Sequence, residues 1–158
     1  ARVARAPRGP AYGVLDSDGA AQSEQETTVG RSDDLDRMTY MNEKIALVLM
    51  GGLDMPCRMT HTFLWAVDIS SRGGDVKIVL EGEAPHWLLE LPDPSHGRHR
   101  LYVKVKELGL IDAVCKACAV QAQAVEAAAE EGLRLVYDAS GHVSLVPYVE
   151  DGYQIVTL

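Results

Sequence analysis

The chain has 158 residues, 47% of them hydrophobic and 24% charged, a balance typical of one soluble globular domain with its own core. A formal net charge of -8 argues against non-specific binding to nucleic acid or to an anionic membrane, and no apolar run approaches the ~20 residues of a membrane span. Three cysteines, at positions 57, 115 and 118, are too few for a disulfide framework and predict thiols in a reducing cytoplasm.

Residues 1–40 differ in composition from the rest of the chain. They are rich in Gly, Ser, Asp, Arg and Ala and lack clustered large aliphatic side chains, so they bury too little apolar surface to offset the entropy of ordering. Their acidic residues, and the lack of a continuous apolar stretch, argue against a targeting peptide. We expect a disordered extension or an upstream read-through ahead of a start at Met38 or Met41, followed by one domain over residues 41–158.

From residue 41 onward, short apolar runs alternate with helical periodicity. The apolar run KIALVLM (44–50) predicts a buried strand, and residues 57–73 predict a helix that ends at a glycine pair. The later predicted elements are, in chain order, a strand at 75–81, a short helix at 84–91, a helix at 98–108, a strand at 110–116, an Ala-rich helix at 117–132, a strand at 133–139, a short helical connection at 142–152 and a strand at 153–158. This alternation predicts an α/β sandwich with a mostly parallel sheet.

The segment AVCKACAV (113–120) places two cysteines three residues apart at the exit of the third strand. In an open parallel sheet, functional sites gather at the carboxyl ends of the strands. Cys115 lies at such an end, and unpaired N–H groups and the positive end of the helix dipole there favour a thiolate. Lys116 adds positive charge if its ammonium turns back, so we expect Cys115 to be reactive, with Cys118 beside it.

Four further side chains are predicted to reach the same rim of the sheet. Cys57 lies in the loop after the first strand, and the segment LEGEAPHW brings Glu81, Glu83 and His86 to the end of the second strand. If the strand order makes these loops neighbours, thiols, a carboxylate and an imidazole line one pocket. The blander interpretations are that Cys118 is a buried packing residue and Cys57 an ordinary thiol.

Other chemistries have less support from the motifs. A zinc site requires two further ligands beside the cysteine pair, and no second C-x-x-C is present. The histidines at 61, 86, 96, 99 and 142 show no paired-ligand spacing, so no metal or cofactor is expected, although distance in sequence does not exclude one. The segment GGLDMPCR matches no phosphate-binding motif, and a thioredoxin-type pair normally follows a first strand.

Four segments together resemble the DsrE/DsrF-like sulfur-relay family, over roughly residues 42–158: KIALVLM, SSRGGDVKIVLEG, LYVKVKELGLIDAVCKACAV and VEDGYQIVTL. The resemblance implies a three-layer α/β/α sandwich with a five-stranded parallel sheet, assembled as a trimer or hexamer. It also implies that Cys115 carries sulfur as a persulfide between donor and acceptor proteins or small sulfane-sulfur compounds. Cys118 departs from the family pattern, and LEGEAPHW and SGHVSLVPY are closer to an uncharacterised cytoplasmic branch.

The leading hypothesis is therefore a cytoplasmic, oligomeric sulfurtransferase-like carrier with a persulfide on Cys115. Cys118 acts as an auxiliary thiol or resolves the persulfide into a disulfide. The alternative is a non-catalytic module that binds a small ligand or a metal, or serves assembly, with the same fold. A third possibility is a C-x-x-C metal site completed across a subunit interface.

Overall fold

The computed structural model describes residues 43–158, so the expectations for residues 1–40 lie outside the described part of the chain. The strands are β1 (Lys44–Leu49), β2 (Asp75–Leu80), β3 (Ile111–Cys115), β4 (Leu135–Val136) and β5 (Gln154–Thr157). Between them lie α1 (Pro56–Ser71), a 3-10 turn (Ala84–His86), α2 (Trp87–Glu90), α3 (His99–Glu107), α4 (Lys116–Gln121), α5 (Val125–Glu130) and α6 (Val146–Glu150). Within this range no helix has the length and apolar character needed to cross a membrane.

The five strands form one sheet in the order β4-β3-β2-β1-β5, and every neighbouring pair is parallel. Helices flank the sheet, which confirms the predicted three-layer α/β/α sandwich. A parallel sheet covered on both faces explains why the carboxyl-terminal parts of the inner strands, residues 45–49, 78–80 and 113–115, are continuous apolar runs instead of alternating ones.

Alternate residues of each strand enter two separate hydrophobic cores, because successive side chains point to opposite faces of a sheet. Leu47 and Leu49 belong to the larger core, which also holds Phe63 of α1. Ala46 and Val48 belong to the smaller core. The smaller core also contains both cysteines of the C-x-x-C pair, so the thiols sit where a packed face meets the carboxyl edge of the sheet.

The predicted Ala-rich helix over 117–132 is wrong in one respect, since the structure divides it into α4 and α5. Gln123 has a φ of 56°, and the Ala124 N–H donates to the Ala119 carbonyl at 2.8 Å. These features are those of a Schellman C-cap, which ends a helix through one left-handed residue. The helix that follows Cys115 is therefore six residues long, and its dipole is that of a short helix.

The other predicted elements agree with the structure to within a few residues, apart from the fourth strand. Only Leu135–Val136 of the predicted 133–139 strand pairs with β3. The segment that follows β4 turns back on itself and approaches α4, as described below.

Candidate functional site: a cluster of two cysteines, a histidine and a glutamate

Four side chains converge at the carboxyl edge of the sheet: Glu81, Cys115, Cys118 and His142. Each offers one potential ligand atom, and these atoms all lie within 4.8 Å of one another. Glu81 directly follows β2, Cys115 ends the adjacent β3, and Cys118 lies in the first turn of α4. We call these residues the four-residue cluster.

The distances within the four-residue cluster are those of direct contact. His142 Nδ1 lies 3.3 Å from Cys115 Sγ and 3.6 Å from Cys118 Sγ. The Cys118 thiol donates to Glu81 Oε2 at 3.2 Å, and the same carboxylate oxygen lies 3.6 Å from His142 Nδ1. The thiols, the imidazole and the carboxylate therefore share one network through which protons can pass.

Backbone groups fix the orientation of two members of the cluster. Cys115 is the N-cap residue of α4, and its Sγ accepts a hydrogen bond from the Cys118 N–H at 3.3 Å. Glu81 Oε1 accepts a hydrogen bond from the Val143 N–H at 2.9 Å, which leaves Oε2 facing the thiols. The cluster is thus held by main-chain hydrogen bonds as well as by its own side-chain contacts.

A tight two-residue turn presents His142 to the cluster. Ser140 and Gly141 both have positive φ angles, of 54° and 97°, and Ala139 and His142 exchange both backbone hydrogen bonds across them. This is the type I′ pattern of a short hairpin. The Gly141 carbonyl accepts a hydrogen bond from the Ala117 N–H at 3.0 Å, which fastens the turn to the start of α4.

Burial differs sharply among the members of the cluster. Cys115 is 0% and Cys118 5% exposed, and the Glu81 side chain is 13% exposed. The His142 side chain is 52% exposed and forms the solvent-facing wall. His142 is therefore the most exposed member of the four-residue cluster.

The protonation of the cluster follows from these contacts. Burial alone raises the pKa of Glu81, but the hydrogen bonds from the Val143 N–H and from the two thiols outweigh it, so the pKa is lowered. Burial raises the pKa of the Cys118 thiol, and its hydrogen bonds with Cys115 and Glu81 and the nearby carboxylate charge raise it further. At neutral pH, Glu81 is a carboxylate and Cys118 a protonated thiol.

Of the residues expected to line the same pocket, only Glu81 joins the cysteine pair. Cys57 lies in the first turn of α1 and not in the preceding loop. It is exposed, and its Sγ is 3.4 Å from His61 Nδ1 in the same helix. His86 lies in the 3-10 turn, with Nδ1 3.0 Å from the Glu83 carbonyl oxygen, and faces a separate shallow depression.

The Lys116 ammonium does not turn back toward Cys115, as the sequence suggested it could. Its side chain is exposed, and Nζ lies 4.4 Å from the centroid of the Tyr137 ring. This is a cation–π contact on the protein surface. The ammonium is engaged by Tyr137 beside the cluster, and the backbone hydrogen bond that Cys115 Sγ accepts comes from the Cys118 N–H.

Sequence reasoning missed His142 because it is distant from the cysteines along the chain. Two signals pointed to it. It follows the fourth strand, so it lies on the same carboxyl rim as Cys115, and the Ser140-Gly141 pair before it is a turn signal. Together they place a histidine on a tight turn at the rim.

Comparisons with known proteins identify relatives without a known activity. No protein-family model matches the chain. The solved structure of a conserved protein of unknown function, BT1422 from Bacteroides thetaiotaomicron, superposes with a TM-score of 0.48 and 16% identity, covering 72% of this chain and 94% of that chain. A similarity of that extent carries no argument about function.

A relative in sequence is the uncharacterized protein MJ0733 of Methanocaldococcus jannaschii. The two chains are 39% identical over 105 residues, which make up 66% of this chain and 83% of the archaeal protein. The matched part is long enough to hold most of the α/β domain. This chain therefore belongs to the same family as the archaeal protein MJ0733.

Proposed function

We propose that the protein carries sulfane sulfur as a persulfide on Cys115, in a relay of the DsrE/DsrF type. The observation that supports this proposal is the 3.3 Å contact between Cys115 Sγ and His142 Nδ1. A cysteine beside an imidazole base is the arrangement of an activated nucleophile. The sequence resemblance selects the same cysteine on separate grounds.

The loading step uses the Cys115–His142 pair. His142 Nδ1 accepts the thiol proton, and the Cys115 thiolate attacks the outer sulfur of a donor persulfide, R–S–SH. A new S–S bond forms on Cys115 while the donor S–S bond breaks, and the leaving thiolate takes the proton from His142. The products are Cys115–S–SH and R–SH, so atoms and electrons balance without an added oxidant.

Access to Cys115 depends on His142. The sulfur is buried, but the imidazole that covers it is half exposed and stands on a two-residue turn. Rotation of this one side chain toward solvent opens a path for the donor. The same movement lets an acceptor thiol attack the loaded sulfur, so that loading and unloading use one opening.

The state of Cys118 favours transfer of the sulfur over its release as sulfide. Release requires a Cys118 thiolate to attack the inner sulfur of Cys115–S–SH, forming a Cys115–Cys118 disulfide and expelling HS⁻. The pKa of Cys118 is raised, and the pKa of the neighbouring Glu81 is lowered, so the carboxylate is a poor base for that thiol. The persulfide on Cys115 is therefore expected to persist until an acceptor thiol arrives.

The test is intact mass after incubation of reduced, chelator-treated protein with polysulfide, analysed without reductant. Because exposed Cys57 reacts with polysulfide on its own, every protein carries Cys57→Ser. The background protein and Cys118→Ser are expected to gain one sulfur, about 32 Da. Cys115→Ser is expected to gain none.

Three results contradict the proposal. If the background protein gains no sulfur, it does not carry sulfane sulfur under these conditions. Sulfur that is retained in Cys115→Ser but lost in Cys118→Ser would place the persulfide on Cys118 instead of Cys115. A loss of two hydrogens without added sulfur indicates a Cys115–Cys118 disulfide and a redox device in place of a carrier.

A further inference from the structure

We infer that the four-residue cluster is a tetrahedral zinc site. Its donors are two sulfurs, one imidazole nitrogen and one carboxylate oxygen, one from each residue. Thiolate and imidazole ligands suit zinc, whereas magnesium and calcium prefer oxygen ligands. The sequence left open a C-x-x-C metal site completed across a subunit interface, whereas here all four ligands belong to one chain, two of them far from the cysteine pair in sequence.

Four of the six separations between the donor atoms lie close to the edges of a zinc tetrahedron, and all six are within 4.8 Å. With Zn–S bonds of about 2.3 Å and Zn–N or Zn–O bonds of about 2.0–2.2 Å, the ligand atoms of a tetrahedral site lie roughly 3.3–3.8 Å apart. The measured separations from His142 Nδ1 are 3.3 Å to Cys115 Sγ, 3.6 Å to Cys118 Sγ and 3.6 Å to Glu81 Oε2. A zinc ion therefore fits among the four atoms with small movements.

Outer contacts already hold the donors in place. Glu81 Oε1 is bound to the Val143 N–H at 2.9 Å, so the carboxylate presents Oε2 inward. The Cys118 N–H donates to Cys115 Sγ at 3.3 Å, which orients that sulfur. Hydrogen bonds of this kind orient metal ligands and raise affinity.

Burial gives the site both shielding and a route of entry. The thiols are buried and the Glu81 carboxylate is partly buried, while the His142 side chain faces solvent. Four protein donors leave no open position, which is the arrangement of a structural zinc site and not a catalytic one. Binding releases the two thiol protons to solvent and involves no change of oxidation state.

The zinc site does not depend on the proposed sulfur relay, although it uses the same thiols. With zinc bound, both sulfurs are coordinated and neither is free to attack a donor. Zinc-loaded and sulfur-loaded forms therefore exclude each other. If the relay operates, zinc reversibly blocks Cys115 by coordinating it. If the relay does not operate, zinc is a structural ion.

The test is a titration of reduced, metal-free full-length protein with Co²⁺, followed by Zn²⁺, with Mg²⁺ as a comparison. We expect one Co²⁺ per chain, the intense visible absorption of tetrahedral cobalt, a sulfur-to-cobalt charge-transfer band, and complete displacement by one Zn²⁺. Zinc is expected to raise the melting temperature, since it binds only the folded chain, whereas Mg²⁺ leaves it unchanged.

Matched variants assign the ligands. Glu81→Gln and Cys118→Ser are expected to weaken Zn²⁺ binding at least about tenfold, since even outer contacts of a metal site contribute about 10–100-fold. Glu83→Gln, two residues away in the same loop, and Cys57→Ser are expected to bind as the wild-type protein does. Circular dichroism of each metal-free variant separates loss of a ligand from loss of the fold.

Two results overturn the inference. One is a wild-type protein that takes up no stoichiometric zinc or gives the weak spectrum of octahedral cobalt. The other is binding that survives in Cys118→Ser but is lost in Cys57→Ser. Because the sulfur experiment uses metal-free protein and measures added mass, failure of either proposal leaves the other one standing.

Discussion

Cys118 and Cys57 are thiols in opposite surroundings. Cys118 is 5% exposed, and burial together with its hydrogen bonds raises the pKa of its thiol, whereas Cys57 is exposed in the first turn of α1. The thiolate is the reactive form, and each unit by which the thiol pKa rises above the pH lowers the thiolate fraction about tenfold. In metal-free protein at about pH 8, we expect iodoacetamide to alkylate Cys118 at least about 100-fold more slowly than Cys57.

Mass mapping of the alkylated peptides over time measures both rates in one sample. In urea the two cysteines are expected to react alike, since burial and the hydrogen bonds are lost. Comparable rates in the folded protein would contradict the burial of Cys118.

Individual residues of the cluster were predictable where a strand end fixes them and not where a loop does. Cys115 ends β3 and Glu81 directly follows β2, so the rule that sites gather at carboxyl ends located both. Cys57 and His86 satisfied the same rule and yet lie outside the cluster, because a place on the rim does not specify where a side chain points. His142 required knowledge of a turn that folds back onto α4.

Among the elements, the strands followed from the sequence and the division between α4 and α5 did not. Continuous apolar runs such as 45–49 leave few alternatives to a buried parallel strand. The Ala-rich stretch has high helix propensity throughout, and its break lies at Gln123, a residue type that gives no signal of a left-handed conformation. Ala124, the residue after the break, is fully buried in the larger core.

The turn at Ser140-Gly141 positions His142, and a change in its backbone should be transmitted to the site. Gly141 has a φ of 97°, which side-chain-bearing residues rarely adopt, and a Cβ placed there lies 3.5 Å from Ala117 Cβ, an ordinary contact. Gly141→Ala is therefore expected to cost about 1–3 kcal/mol through backbone strain, not through a clash. Relief of the strain displaces His142, so we expect Co²⁺ affinity to fall at least about tenfold as well.

Urea unfolding and the cobalt titration measure the two effects in Gly141→Ala. Gly97→Ala is the control, since a Cβ at Gly97 meets no atom within 4 Å and its φ lies outside the left-handed range. Cobalt affinity equal to that of the wild-type protein, despite a loss of stability, would show that the turn does not position a ligand.

At the scale of the whole molecule, the strand order explains which loops build the cluster. β2, β3 and β4 are consecutive neighbours in the sheet; Cys115 ends β3, and the segments that follow the three strands supply the other three residues of the cluster. β1 lies beyond β2, so Cys57, which follows β1, starts one strand farther away. Residues distant in sequence meet because parallel strands bring every carboxyl end to one edge.

Asp112 ties these same three strands together from the side of the smaller core. Its Oδ2 accepts hydrogen bonds from the Tyr148 hydroxyl of α6 at 2.5 Å and from Arg134, just before β4, at 2.8 Å. Its Oδ1 lies 3.4 Å from Lys77 Nζ of β2. Asp112→Asn leaves two cations without their anion, and we expect it to lower the free energy of unfolding by about 1–3 kcal/mol at neutral pH.

The contribution of Asp112 should depend on pH in a specific direction. Burial raises the pKa of this carboxyl, but the Tyr148 hydrogen bond and the charges of Lys77 and Arg134 outweigh it, so the folded pKa lies below the unfolded value of about 3.9. A group with a lowered folded pKa stabilises the fold in full above its unfolded pKa, and that contribution is lost as the pH falls through the folded pKa. The difference in unfolding free energy between wild-type and Asp112→Asn proteins should therefore be largest near neutral pH and shrink below about pH 4.

Urea unfolding of both proteins across this range measures the difference, with Asp54→Asn, a change at an exposed residue, as the control expected to show neither effect. A difference that stays constant or grows on acidification would mean that Asp112 acts through its shape and hydrogen bonds and not through its charge. The contribution of the Asp112 contacts to stability would then be independent of pH, and the acid sensitivity of the fold would have to arise from another carboxylate.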